Sequence, residues 1–278
     1  MRRILIFLAL LLTPVAAHAQ VSLDGFSPDT LYEVVLTDGS TIFGHVTPGA
    51  GDSITVITTA GLTLSIARAQ VRTIRPARAT VVDGKVYRDD PGQTRLFFTA
   101  TGRTLRQGEG YAGTFMVLLP FVGYGITDRF TIAGGAPILF GEIRPFWVAP
   151  KVQVVRRDNT KISVGTIAFA WDQDDVAGIA YGVGTFGDAS AAATLGVGMG
   201  YAGTDFSSEP VAMVGGELRV GDGVKLITEN YFLSSEEGFI GAFGVRIFGH
   251  KLSAEVGVAA GDGGCCLPVA GVSWFFGE

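Results

Sequence analysis

The sequence has few of the residues on which small exported domains and many enzymes depend. Cysteine occurs only at Cys265 and Cys266, so no framework of disulfides holds the fold together. Histidine occurs only at His18, His45 and His250, and no G-x-S-x-G, H-E-x-x-H or Walker motif is present. We therefore expect no catalytic residue, no bound metal and no cofactor.

The two cysteines are adjacent in the chain. In an oxidising compartment Cys265 and Cys266 can bond to each other as a strained vicinal disulfide. Two reduced thiols in a loop are the alternative. A metal site is the weaker third interpretation, because Asp262 is the only other candidate ligand beside them.

Long apolar runs are also missing beyond the N-terminus. There, two arginines precede an apolar run over 4–12, followed by Pro14 and the small-x-small site that ends at Ala19. This pattern predicts a secretory signal peptide over 1–19, cleaved after Ala19. Because position 20 is Gln and no Cys is available at the cut, we expect no lipoprotein anchor. After it, no run approaches the roughly 18 residues of a spanning helix, although 47% of the chain is hydrophobic.

Basic residues are in the minority. Without Arg2 and Arg3, which belong to the predicted signal peptide, 19 basic residues face 26 acidic ones, a net charge of −7. A chain with this balance does not attract the phosphates of nucleic acid. We expect no nucleic-acid partner.

A short β-rich region follows the signal. After a flexible segment over 20–29, five short runs of β-forming residues occupy 30–76, and the first two flank the Asp38-Gly39 turn signal. This region resembles the SH3-like and Sm-like small barrels, through its V-x-L-x-D-G-S pattern. The resemblance implies either a periplasmic contact with a protein or the cell wall, or a structural spacer. Charged residues, Pro and Gly then predict a linker over 77–94.

The rest of the chain, 95–278, alternates large apolar residues with small ones. Leu195, Val197, Met199 and Tyr201 share one face of a strand, and the residues between them are mostly glycine. No amphipathic helix is available to cover the apolar face, so lipid is its simplest cover. We therefore predict an all-β fold with a transmembrane antiparallel barrel.

Twelve segments carry this alternation, with ten as the alternative because the first segment is short. They lie near 95–101, 109–126, 129–139, 146–156, 161–171, 176–186, 191–202, 210–220, 224–233, 239–248, 251–260 and 268–276. Tight turns alternate with longer connections, the first of which is 102–108. Outer-membrane barrels keep their short turns in the periplasm, so we expect the N-terminal region and the C-terminus there.

Three short motifs carry a further resemblance. They are the stretches GEGY at 108–111, YGITD at 124–128 and ITENYF at 227–232. With these the region resembles poorly characterised, porin-like outer-membrane β-barrel proteins. The resemblance implies a bacterial outer-membrane location more than an activity.

Charged and polar residues on the small face of the alternation belong inside the barrel, because charge on the lipid face costs about 2–4 kcal/mol at mid-depth. They line either a narrow pore or an internal ion-pair network that fills a closed barrel. The sequence leaves both open. The predicted lining residues are Lys151, Gln153, Glu217, Arg219, Arg246 and Glu255.

We therefore expect a narrow porin-like channel or a structural envelope component. Its partners would be outer-membrane lipids and lipopolysaccharide, whose phosphates can share divalent cations with acidic outer loops. Solvated loop charge is the simpler account of those loops. An outer-membrane lipid-modifying hydrolase is the alternative from another class, and it needs a histidine or a carboxylate pair at the rim.

Overall fold

The computed structural model of the chain describes residues 26–138, 145–171, 175–233, 238–262 and 264–277. The predicted signal peptide and its cleavage site at Ala19 lie outside these residues. The chain forms two compact units, which divide after Arg78. In the described residues, no helix is both long and apolar enough to cross a membrane.

The first unit contains an antiparallel sheet of five strands. The strands are β1 (Tyr32–Leu36), β2 (Thr41–Pro48), β3 (Ser53–Thr58), β4 (Thr63–Ala67) and β5 (Val71–Pro76), in the order β4-β3-β2-β1-β5. A core that includes Val34, Val46 and Ile54 lies against the sheet. The Asp38-Gly39 turn joins β1 to β2, and Gly39 has the positive φ of +90° that such a turn requires. The likeness to SH3-like barrels stays a prediction.

The predicted linker over 77–94 is wrong in part, because it contains a hairpin. Strands β6 (Ala79–Val82) and β7 (Lys85–Arg88) pair through an Asp83-Gly84 turn with positive φ at both residues. This turn type matches the twist of a two-residue hairpin, which the Asp-Gly pair favours. The hairpin belongs to the second compact unit, which begins at Ala79.

The second unit contains a closed barrel of twelve antiparallel strands, which confirms the predicted fold class. Each strand pairs with the next in the chain, and the last pairs with the first. The strands are β8 (Gly110–Phe115), β9 (Leu119–Thr127), β10 (Phe130–Gly135), β11 (Phe146–Arg157), β12 (Thr160–Ala170), β13 (Val176–Gly187), β14 (Ala191–Ala202), β15 (Asp205–Gly221), β16 (Val224–Leu233), β17 (Phe239–Phe248), β18 (Leu252–Gly261) and β19 (Gly264–Phe276).

Alternation separates the two faces of the barrel wall. On β14, Leu195, Val197 and Met199 are 40–57% exposed on the outside, whereas the inward Thr194 is fully buried. The same outward apolar surface continues around the barrel through residues such as Val122, Val152, Phe243, Val256 and Trp274. An apolar band of this kind is what acyl chains cover.

The predicted strand count is right, but one predicted strand is wrong. Residues 95–101 are not part of the barrel wall. The predicted segment 109–126 instead contains two strands, β8 and β9, which restores the total to twelve. The reason is that 95–101 folds back on itself, because the Leu96 N–H donates to the Thr99 carbonyl at 2.9 Å. The N–H groups of Phe97 and Phe98 donate to the Glu229 carboxylate and are not available to a neighbouring strand.

The two ends of the barrel differ. Tight turns join β9 to β10, β11 to β12, β13 to β14, β15 to β16 and β17 to β18, and we call this the turn end. The first barrel strand begins and the last one finishes at the turn end, as an even number of strands requires. The opposite end, called the loop end, carries the connection between β10 and β11, and it also has a tight one, Gly203-Thr204, between β14 and β15.

Candidate functional site: a segment inside the barrel

Residues 89–107, which we call the luminal segment, enter the barrel and return to its turn end, where Arg106 and Gln107 are exposed. The segment connects the β6–β7 hairpin to β8, and Leu96, Phe97 and Thr101 are fully buried within it. Leu96 and Phe97 pack against the inward residues Val183 and Met213. The interpretation of 102–108 as an outer loop is therefore wrong, because 102–107 belong to this internal segment.

A continuous chain of buried ion pairs joins the luminal segment to the barrel wall. The luminal segment contributes Asp90 to this chain and the wall contributes Arg246, and the other charged residues follow on either side of this pair. In order it runs Arg95–Glu255–Arg246–Asp90–Lys225–Glu217–Arg103, with nitrogen-to-oxygen distances of 2.7–3.2 Å. Charges alternate along it, so each carboxylate contacts two cations, as burial of charge requires.

Arg246 is the most highly connected residue of this chain. Its Nε donates to Glu255, and its Nη1 donates to Asp90 and to the Gly92 carbonyl. Its Nη2 donates to the carbonyls of Arg95 and Leu96. The five N–H groups of this fully buried guanidinium thus all have acceptors, and four of the five belong to the luminal segment.

Asp90 stays ionised in this setting. Burial raises the pKa of its carboxyl, but the charges of Arg246 and Lys225 outweigh that effect, and the pKa is well below its ordinary value. A lowered pKa in the folded protein stabilises the fold above the carboxyl's unfolded pKa, and this stabilisation is lost as the pH falls towards the folded value. The ion-pair chain therefore persists across the neutral range.

Glu229, on β16, holds the tip of the luminal segment. Its carboxylate accepts hydrogen bonds from the backbone N–H groups of Phe97, Phe98 and Thr99, at 2.8, 3.1 and 3.2 Å. The hydroxyl of Tyr231 also donates to it. Glu229 is fully buried, while the neighbouring Asn230 faces outward and donates to the Val214 carbonyl. Three backbone donors on one carboxylate resemble an anion site, occupied here by the protein's own side chain.

Side chains of β11 bind the luminal segment on both sides of its tip. The Lys151 ammonium donates to the carbonyls of Thr94, Thr101 and Arg103 at 2.6–3.0 Å. Gln153 donates to the Gly102 carbonyl at 2.7 Å. Both side chains are buried, so these bonds replace water at the Lys151 ammonium and at the Gln153 amide nitrogen.

Of the predicted lining residues, Arg219 is the one that lies at the turn-end opening of the barrel. It is half-buried at the turn end, where Nη2 donates to the Arg88 carbonyl and Nε donates to the Ala189 carbonyl. Its guanidinium also stacks over the rings of Tyr87 and Phe248, at 5.3 and 5.0 Å. Arg219 thus fastens the β6–β7 hairpin to the barrel and does not line the centre of the lumen.

Sequence reasoning found one side of this site and missed the other. The structure brings Lys151, Gln153, Glu217, Arg246 and Glu255 together around the luminal segment. The residues missed are Asp90, Arg95, Arg103, Lys225 and Glu229. For the two on β16 a signal existed, because Lys225, Ile227, Glu229 and Tyr231 alternate on one face. For those in the segment, the only signal was a stretch in which charged and apolar residues are mixed.

Gly102 provides a direct test of how tightly the segment fits. A Cβ at this position would lie 2.1 Å from the Lys161 carbonyl oxygen, which is backbone and cannot rotate away. We expect Gly102→Ala to destabilise the protein by about 1–3 kcal/mol, as overpacking does. Urea unfolding in lipid vesicles measures this. Gly249→Ala is the matched control, since nothing lies within 4 Å of its Cβ, and equal stability losses in both variants would contradict the tight fit.

The remaining predicted positions lie elsewhere. Cys266 is disulfide-bonded, while the side chain of Cys265 lies outside the described residues. His45, on β2, contacts the Thr30 carbonyl through Nδ1, and His250 lies in the turn between β17 and β18. Within the described ranges, no group of three or more His, Cys, Asp or Glu side chains could hold a metal ion.

Comparison with known proteins adds likeness in structure only. No family model matches the chain, and no curated protein matches it. The NanC porin is similar over 60% of this chain and 97% of its own, with 10% identity and a TM-score of 0.37. OmpT, an outer membrane protein of Vibrio cholerae, is similar over 88% of this chain and 95% of its own, with 13% identity and a TM-score of 0.33. Its loop L8 deletion mutant has 15% identity and a TM-score of 0.34.

Proposed function

We propose that this protein is an outer-membrane barrel that its own luminal segment holds closed, and that it serves as a structural component of the envelope. The observation that supports this most strongly is the buried ion-pair chain between segment and wall. A narrow porin-like channel is the other role that a barrel of this size could have. The segment occupies the turn-end half of the lumen and so blocks the passage that such a channel needs.

The outward apolar surface supports the membrane location. Its side chains include Leu195, Val197 and Val256, each about half exposed, and acyl chains would remove them from water. In the proposed orientation the turn end faces the periplasm, so the five-stranded unit and the C-terminus lie there. That unit would contact a protein or the cell wall, and the barrel would contact lipids and lipopolysaccharide.

The full chain in a planar lipid bilayer tests this function. We expect no steady conductance, because the segment is fastened by ion pairs and by the Glu229 hydrogen bonds. Folded insertion is checked by the change in gel migration on boiling. Steady conductance of the intact, folded protein would overturn the closed state and favour the channel.

A further inference from the structure

The half of the lumen beyond the tip of the luminal segment is apolar. Strand register turns large apolar side chains inward between the tip and the loop end, and the charged inward residues described above lie nearer the turn end. These apolar side chains include Trp147, Ile167, Phe169, Ile179, Val211, Leu233 and Ile240. The result is a chamber with a polar, sealed base and an apolar wall.

This chamber is not filled by its own side chains. Ile240 is 46% exposed and Ile179 is 37% exposed, although both face the barrel interior. Phe98, at the tip of the luminal segment, is also 46% exposed, and its ring lies 4.9 Å from that of Phe115. Large apolar groups that face an enclosed space without filling it are typical of a ligand site.

One wall of the chamber consists of backbone. The inward positions of β14 include Gly196, Gly198 and Gly200, and β14 lies six strands from β8, directly across the barrel. A Cβ on Gly200 would have no heavy atom closer than 3.7 Å. The side chain of Ile179 covers Gly198, and that of Met213 lies against Gly196, so the strip is open at Gly200. A ligand can lie against the backbone there while contacting aromatic and aliphatic groups opposite.

The structure assigns this chamber to the acyl chain of a fatty acid, which enters from the loop end with its carboxylate at the mouth. From Glu229 to Leu233 the strand runs about 13 Å at roughly 3.3 Å per residue, and a tilt of about 35–45° makes the chamber about 10 Å deep. This depth accepts part of an extended acyl chain, or a bent one. The buried carboxylate of Glu229 at the base would repel a second anion there. At the mouth, the indole N–H of Trp147 makes no hydrogen bond within the described residues, so it can donate to the carboxylate.

Quenching of Trp147 by a brominated fatty acid tests the assignment. The protein used is the full chain in phospholipid vesicles, with Trp171→Phe and Trp274→Phe, which leaves Trp147 as the only one of three tryptophans. We expect dibromostearate to quench it in a saturable way. Vesicles made of brominated phospholipid should quench it little, because the barrel wall separates it from bilayer lipid. Unsaturable quenching, or equal quenching by both probes, would mean partition into the membrane only and would overturn the assignment.

Two variants and one matched control sharpen the test. Gly200→Phe projects a ring into the chamber, and Gly182→Phe places the same ring on the outer face, where nothing lies within 4 Å of its Cβ. We expect the apparent affinity for dibromostearate to fall at least tenfold in the first and to stay within twofold in the second. Ile179→Asp, which adds a charge to the wall, should act like Gly200→Phe. Unchanged affinity in both chamber variants, with gel migration showing folded protein, would refute the site.

The inference depends on the luminal segment staying in place, as in the proposed function. Planar-bilayer conductance of the same single-tryptophan protein separates the two. Conductance together with saturable quenching would overturn the closed state and leave the chamber. No conductance together with no saturable quenching would leave the closed state and overturn the chamber.

Discussion

Replacing residues 91–103 by a Gly/Ser linker of equal length is expected to convert a silent barrel into a conducting one. The replaced stretch contains the tip that Glu229 holds and the carbonyls that Lys151 and Arg246 contact. Without it, the inward charges face water that enters from the turn end. Twelve strands lie between the small barrels that side chains fill and the large ones that leave an aqueous channel, so removing the segment opens a passage.

Planar-bilayer recordings of the linker variant measure this effect. We expect a steady conductance that falls when Arg246 or Glu255 is additionally neutralised, because these residues would then line the passage. The matched control replaces residues 49–52, an exposed turn of the five-stranded unit, with the same kind of linker and should remain silent. A linker variant that folds, by gel migration, yet never conducts would show that the wall alone closes the barrel.

Arg246→Ala is expected to destabilise the folded barrel by about 3–5 kcal/mol, the cost of breaking a buried ion pair by removing one partner. The loss leaves Asp90 with Lys225 alone and Glu255 with Arg95 alone. It also removes the Arg246 donor from the Arg95 carbonyl and one of two donors from each of the Gly92 and Leu96 carbonyls. Urea unfolding in vesicles, followed by gel migration, measures the change.

Two further variants show whether charge or geometry matters at this position. Arg246→Lys keeps the charge but cannot present five N–H groups in a fork, so we expect an intermediate loss. Arg156→Ala is the control, because Arg156 is an exposed arginine with one hydrogen bond, to the Asp128 carbonyl at 3.3 Å, and should change stability by less than about 0.5 kcal/mol. Equal stability of Arg246→Ala and the wild type would mean that packing, and not the ion-pair chain, fastens the segment.

Local pattern was enough to predict the barrel wall. Alternation on β14 separates Leu195 and Val197 from Thr194, and the structure keeps that separation. The Asp38-Gly39 pair likewise predicts its turn, because the positive φ at Gly39 is a property of that residue. The same alternation placed Arg246 and Glu255 inside before any pairing partner was known.

The partners of those inward charges could not be predicted. Arg246 and Asp90 are separated by 156 positions in the chain, and nothing near either residue identifies the other. The stretch 95–101 has the composition of a strand, and its length does not argue against one, because β8 and β10 are six residues each. The backbone groups in and beside this stretch find their hydrogen-bond partners in Glu229 and Lys151, which lie on strands distant in the chain.

The sequence by itself determined which side chains face out and which face in, because alternation with a period of two is a property of each strand alone. Only the tertiary structure decided whether the interior is open or occupied. A buried charge needs a partner across space, and that partner can come from any part of the chain that barrel closure brings near it.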